Sequence, residues 1–221
     1  MTGPGLGYDR YRTNGFDEWL TRVGDAAAPP ILFVPPLFEE MNRTRALIVA
    51  TMRRLAERGF GCWLPDLPGT GESERALEEC GWDDWRGAVR DAAARIGEAP
   101  AVVALRGGCL LDDAAKGGAF WRFAPVEGAS LARDLARSGL VTAGGSAGYP
   151  LGDSLSADLR AATLRPVAPL RTARLATDLG AADAKLEGPA LWRRSEPGSS
   201  AQLSAAMAAD IADWIERCGG C

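Results

Sequence analysis

Histidine does not occur anywhere in the 221 residues. Its absence excludes every Ser-His-Asp or Cys-His catalytic set, HExxH metal sites and any imidazole base. Lysine is scarce as well: Lys116 and Lys185 stand against 23 arginines, so a lysine-based centre has only two candidates. Long hydrophobic runs are missing. The longest apolar stretches, 31–38 and 46–50, fall far short of the ~20 residues a membrane-spanning helix needs. The opening MTGPGLGYDRYR lacks the apolar core of a secretory signal. There is no excess of basic charge; the net charge is −4, which argues against a general nucleic-acid binder. The cysteines are few and odd in number: Cys62, Cys80, Cys109, Cys218 and Cys221. Their irregular spacing is not a disulfide framework, and the expectation is a cytoplasmic protein with reduced thiols.

What remains is an ordinary globular composition, 47% apolar and 24% charged. Strand and helix signals alternate. Ile31–Val34 is a short buried-strand run, stopped by Pro35 and Pro36. Residues 41–58 read as a helix with Ile48, Met52 and Leu55 on one stripe and Gly59 as its stop. Residues 60–65 return to strand, followed by the turn-rich loop DLPGTGES at 66–73. A helix is predicted over about 83–96, a strand over 101–105, a short helix near 108–116 and a strand over 119–125. Beyond these, 127–138 and 154–164 read as helical, 167–175 and 183–187 as extended, and 201–217 as a helix carrying Leu203, Met207, Ile211 and Ile215. This alternation predicts a parallel sheet covered on both faces. The four strands at 31–34, 60–65, 101–105 and 119–125 are expected to be central neighbours.

Several short patterns bear on chemistry. Cys218-Gly219-Gly220-Cys221 is a CxxC that follows a helix instead of preceding one, so no helix dipole stabilises its thiolate. With no second CxxC, no zinc site and no other metal or cofactor is expected. Gly144-Gly145-Ser146-Ala147-Gly148 spells G-x-S-x-G, but Tyr149-Pro150 follows where that motif needs a helix, and the bland reading is a glycine-rich hairpin or flap. Ser146 is therefore a weak nucleophile candidate. Cys109 is another: a helix N-terminus and a neighbouring Arg would lower its pKa, although a free Cys in that position more often packs inward.

The stretch from Ile31 to Ser73, strand, loop, helix, strand and Asp-x-x-Gly-x-Gly-x-Ser loop, resembles the early part of the α/β-hydrolase fold. More narrowly, Pro35-Pro36-Leu37-Phe38-Glu39-Glu40-Met41-Asn42, Ala104-Leu105-Arg106-Gly107-Gly108 and Gly188-Pro189-Ala190-Leu191-Trp192 are similar to three segments of the exosortase A system-associated hydrolase 2 family. The likeness runs in the same order over about residues 30–215, with Ala104, Ala190 and Leu191 departing from the pattern. It implies an α/β-hydrolase-like fold, with a mostly parallel sheet flanked by helices and a small or reduced cap. The length suits a single domain, expected over 1–221 with about 127–165 as cap or insert, and the resemblance implies a bacterial protein encoded near exopolysaccharide or PEP-CTERM sorting genes.

In active members of that fold the turn after 101–105 would carry the nucleophilic serine. Here Arg106 stands in its place, and a guanidinium that stays protonated cannot accept an acyl group. The loop at 188–200, where the histidine belongs, offers Trp192, Arg193, Arg194, Ser195 and Glu196; Asp178 is the nearest carboxylate after the strand at 167–175. Three functions follow. The first is a binding protein whose ligand site comprises Arg106, Gly107, Glu39, Glu40 and Trp192, suited to an anionic small molecule or an acyl or glycan ligand. The second is an unconventional esterase or acyl hydrolase using Cys109, Ser146 or a carboxylate. The third is a scaffold for protein partners of the exosortase or exopolysaccharide system. Arg106 is expected to pair with Glu39 or Glu40, with Trp192 covering the guanidinium as a cation–π lid.

Overall fold

The computed structural model describes residues 5–137 and 151–219. Eight strands form one sheet in the order β1-β2-β4-β3-β5-β6-β7-β8. Its middle is β3 (Pro30–Val34), β4 (Gly61–Pro65), β5 (Ala101–Leu105) and β6 (Ala119–Phe123), all mutually parallel. These are the four expected central neighbours. β7 (Leu170–Leu175) and β8 (Ala184–Leu186) continue the parallel arrangement on one side.

The central strands read as unbroken apolar runs because both of their faces are buried. Successive side chains point to opposite faces. Ile31 and Phe33 join the core beneath α1 (Glu39–Ala56) and α5 (Ala201–Arg217). Leu32 and Val34 join the core beneath α2 (Trp82–Ile96), α3 (Gly128–Arg137) and α4 (Asp153–Ala161). Of the helix signals, that for α5 coincides with the observed helix, and Ser200 caps it by accepting the Leu203 N–H. α3 and α4 occupy the stretch expected as a cap. They meet so closely that a Cβ on Gly128 would lie 1.9 Å from the Leu159 carbonyl oxygen. The Ser146 motif lies outside the described residues, as does Cys221.

Two features depart from expectation. Residues 6–23, where no apolar run signals a strand, form an antiparallel hairpin of β1 (Leu6–Thr13) and β2 (Phe16–Val23), with β2 antiparallel to β4. Its turn is Asn14-Gly15, both at positive φ, the pair a two-residue hairpin turn demands. The short helix expected near 108–116 is absent; the chain makes two 3₁₀ turns, Arg106–Leu110 and Asp112–Ala115. Packing explains the difference. A Cβ on Gly107 would lie 2.7 Å from Leu131, and one on Gly108 2.4 Å from the Pro35 carbonyl oxygen. Two glycines wedged against backbone and core leave poor material for an α-helix.

Candidate functional site

The site lies at the carboxyl end of the parallel strands, where open α/β sheets bind their ligands. β5 ends at Leu105, and Arg106 follows at φ +51, a region a non-glycine residue seldom occupies. Backbone strain of this kind costs about 1–3 kcal/mol and persists only where the surroundings over-determine it. They do so here through the tight seat of Gly107 and Gly108 and through the bonds of the Arg106 side chain. The strained turn after β5 thus presents an arginine at the carboxyl end of the sheet.

Arg106 donates from Nε to both Glu40 oxygens at 3.2 Å and from NH2 to Oε1 at 2.9 Å, a bidentate charge-assisted pair. NH1 donates to the Ala124 carbonyl at 3.2 Å, just past the end of β6. The Trp192 ring lies 4.8 Å from the guanidinium carbon, a cation–π contact worth about 0.5–2 kcal/mol. Both members of the pair are nearly buried, Arg106 at 11% and Glu40 at 12% side-chain exposure. Burial pushes the Glu40 carboxyl above its ordinary value, against the pull of Arg106.

Of the two adjacent glutamates only Glu40 reaches Arg106. Neighbouring residues on a helix point about 100° apart, so Glu39, at the start of α1, turns away. It accepts from Asn42 at 3.3 Å and sits 3.8 Å from Arg43. Arg43 also donates to the Trp192 carbonyl at 3.0 Å, fixing the turn that carries the tryptophan. Trp192 packs edge-on against Phe123 as well. Arg43 and the Ala124 carbonyl escaped the sequence reading. Arg43 carried one signal, its i+4 spacing from Glu39; the carbonyl carried none.

A cavity of about 420 Å³ opens beside the pair, lined by Glu39, Glu40, Arg43, Arg106, Trp192 and Arg193 together with Leu131, Asp134, Leu135 and Arg137 of α3. The four α3 residues also went unread, because nothing in sequence ties α3 to the turn after β5. Among the described residues no cluster of His, Cys, Asp and Glu suits a metal.

The other candidates lie elsewhere. Cys109 is fully buried, its thiol donating to the Ala104 carbonyl at 3.4 Å. Burial and the nearby Asp112 carboxylate push the thiol well above its ordinary value. Since Cys109 sits in a 3₁₀ turn, the expected activation by a helix N-terminus is absent. Asp178 is taken up by Arg174 at 2.9 Å and by the Gly180 N–H at 2.8 Å.

No protein-family model matches the chain, nor does any curated protein. Among solved structures, mouse alpha/beta hydrolase domain-containing protein 10 aligns over 96% of this chain and 99% of its own, at 16% identity and a TM-score of 0.67. The chain has the α/β-hydrolase fold. Partial alignments reach epoxide hydrolase VrEH1 from Vigna radiata and Epoxide Hydrolase A from Mycobacterium thermoresistibile. Their TM-scores are 0.44 and 0.45 and their identities 16% and 20%, over 54% and 60% of this chain. The chain spans only 40% and 45% of the length of those two enzymes. No helix among the described residues is long and apolar enough to cross a membrane.

Proposed function

We propose that this α/β-hydrolase-fold chain works without Ser-His-Asp chemistry and uses the turn after β5 to bind a small anion. Its role would be that of a binding or accessory protein in the exopolysaccharide or PEP-CTERM sorting systems. The segments PPLFEEMN, ALRGG and GPALW support that setting by resemblance, and protein partners within the same machinery belong to the proposal.

The observation that carries the reading is the state of Arg106. A guanidinium has five N–H donors. Glu40 and Ala124 engage Nε, one hydrogen of NH2 and one of NH1. One hydrogen on each terminal nitrogen is left for a guest, and the side chain lines the cavity. Among the described residues nucleophilic chemistry has no support beside it: the chain has no histidine, and the Cys109 thiol is sealed in the core.

Hydrolysis of short p-nitrophenyl esters tests the reading. The expected rate is no faster than that of the same protein carrying Arg106→Ala. A turnover of about 1 s⁻¹ or more, typical of an enzyme, would overturn the proposal if Cys109→Ala or Ser146→Ala abolished it.

A further inference from the structure

Each carboxylate lining the Arg106 cavity already faces an arginine of its own. Glu40 holds Arg106 at 2.9 Å, Glu39 lies 3.8 Å from Arg43, and Asp134 pairs with Arg137 on α3. The fourth arginine of the lining, Arg193, makes no side-chain ion pair or hydrogen bond among the described residues. It is exposed, on the same 3₁₀ turn as the buried Trp192. The cavity therefore carries one positive charge in excess, held at its solvent side. Leu131 and Leu135, both buried on α3, and the Trp192 ring give it an apolar wall.

We propose that the cavity takes a monoanionic amphiphile of the short acyl-chain carboxylate class. Arg193, together with the unengaged N–H groups of Arg106, holds the carboxylate, and the chain lies along Leu131, Leu135 and Trp192. The inference rests on the anion-binding reading above and narrows it. A dianion would bring a second charge for which no unpaired arginine remains in the lining, so it would have to break one of the three existing pairs. A neutral head group would forgo the charge attraction of Arg193. A volume of about 420 Å³, at ~30 Å³ per water-sized unit, has room for on the order of ten non-hydrogen atoms, the size of octanoate.

Calorimetric titration of the full chain with octanoate, acetate, 1-octanol and inorganic phosphate tests this. Octanoate should bind at least about tenfold more tightly than acetate, since its six additional methylenes leave water for the apolar wall, and 1-octanol should bind about tenfold more weakly than octanoate. Arg193→Met should weaken octanoate about tenfold, the worth of one charge-assisted contact, without moving the melting temperature. Leu135→Gln should weaken octanoate and leave acetate unchanged. Equal affinities for octanoate and acetate, or for octanoate and 1-octanol, would overturn the inference, as would octanoate binding unaltered by Arg193→Met. If phosphate binds more tightly than octanoate and loses that affinity in Arg106→Met, this inference fails while the anion-binding reading stands. If no anionic probe binds up to about 10 mM, beyond the millimolar range of weak specific binding, both fall.

Discussion

Two arginine–carboxylate pairs lie at neighbouring strands of the sheet and are put to different use. Arg122, on β6, grips Asp112 at 2.7 and 2.8 Å and also donates to the Arg165 carbonyl at 2.7 Å. Both members of the pair are sealed, with side-chain exposures of 5% for Arg122 and 1% for Asp112. Arg106, after β5, also grips Glu40 with two nitrogens, at 2.9 and 3.2 Å, but the pair borders a cavity and lies against Trp192. Burial raises the carboxyl pKa in both, by name Asp112 and Glu40. A perturbed carboxylate in an ion pair is therefore no mark of a functional site in this molecule. Access separates the two, since each guanidinium has two N–H donors beyond its hydrogen bonds to the protein, but that of Arg106 lines a cavity while that of Arg122 is sealed. The Asp112 pair ties the segment after the turn to the next strand, while the Glu40 pair leaves a charged surface facing solvent-accessible space.

That contrast makes unequal demands on stability. Asp112→Asn or Arg122→Met strands a charge that no water can reach, and each should cost about 3–5 kcal/mol in denaturant unfolding. This is a large part of a domain's usual 5–15 kcal/mol. A loss under about 1 kcal/mol would mean that the sealed pair is not the structural member. Glu40→Gln should cost less, roughly 1.5–3 kcal/mol, the worth of hydrogen bonds to a charged group. The amide oxygen still accepts from Arg106, whose guanidinium keeps the Ala124 carbonyl, the Trp192 face and access to the cavity. If Glu40→Gln matches Asp112→Asn in cost, the distinction drawn from access collapses.

Legibility in the sequence followed the same divide between local and assembled features. β3 to β6 were readable because a strand buried on both faces must be apolar throughout, as Ile31–Val34 and Ala101–Leu105 are. The β1–β2 hairpin was not, because its faces differ and charged residues such as Arg10, Arg12 and Asp17 interrupt it. The informative signal was the Asn14-Gly15 turn. Arg106, Glu40 and Trp192 could be brought together only through the resemblance of the segments PPLFEEMN, ALRGG and GPALW to a known family. Choosing Glu40 over Glu39 required the helical phase of α1, which begins at Glu39 itself. The glycines after Arg106 suggested a turn into a helix. Only the contacts of Gly107 and Gly108 with Leu131 and the Pro35 carbonyl show why the turn stays 3₁₀.

The smallest effect expected is a pH slope. The Glu40 carboxyl ordinarily titrates near 4.5, and burial raises it in the folded chain. Between the ordinary and the raised value the folded state therefore holds more protons than the unfolded one, and stability falls as pH rises through that window. A single group contributes at most about 1.4 kcal/mol per pH unit. Glu40→Gln cannot titrate there and lacks this component. The stability advantage of the wild type over Glu40→Gln should accordingly be larger near pH 4 than at pH 7, measured by denaturant unfolding at several pH values in one buffer system. Asp112→Asn should behave alike, since its carboxyl is raised for the same reason. An advantage that widens with pH for Glu40→Gln alone would show that Arg106 holds the Glu40 carboxyl below its ordinary range. The two pairs would then differ in electrostatics as well as in access, and the anion-binding turn would be a pre-neutralised site whose guest must compete with a fully charged glutamate.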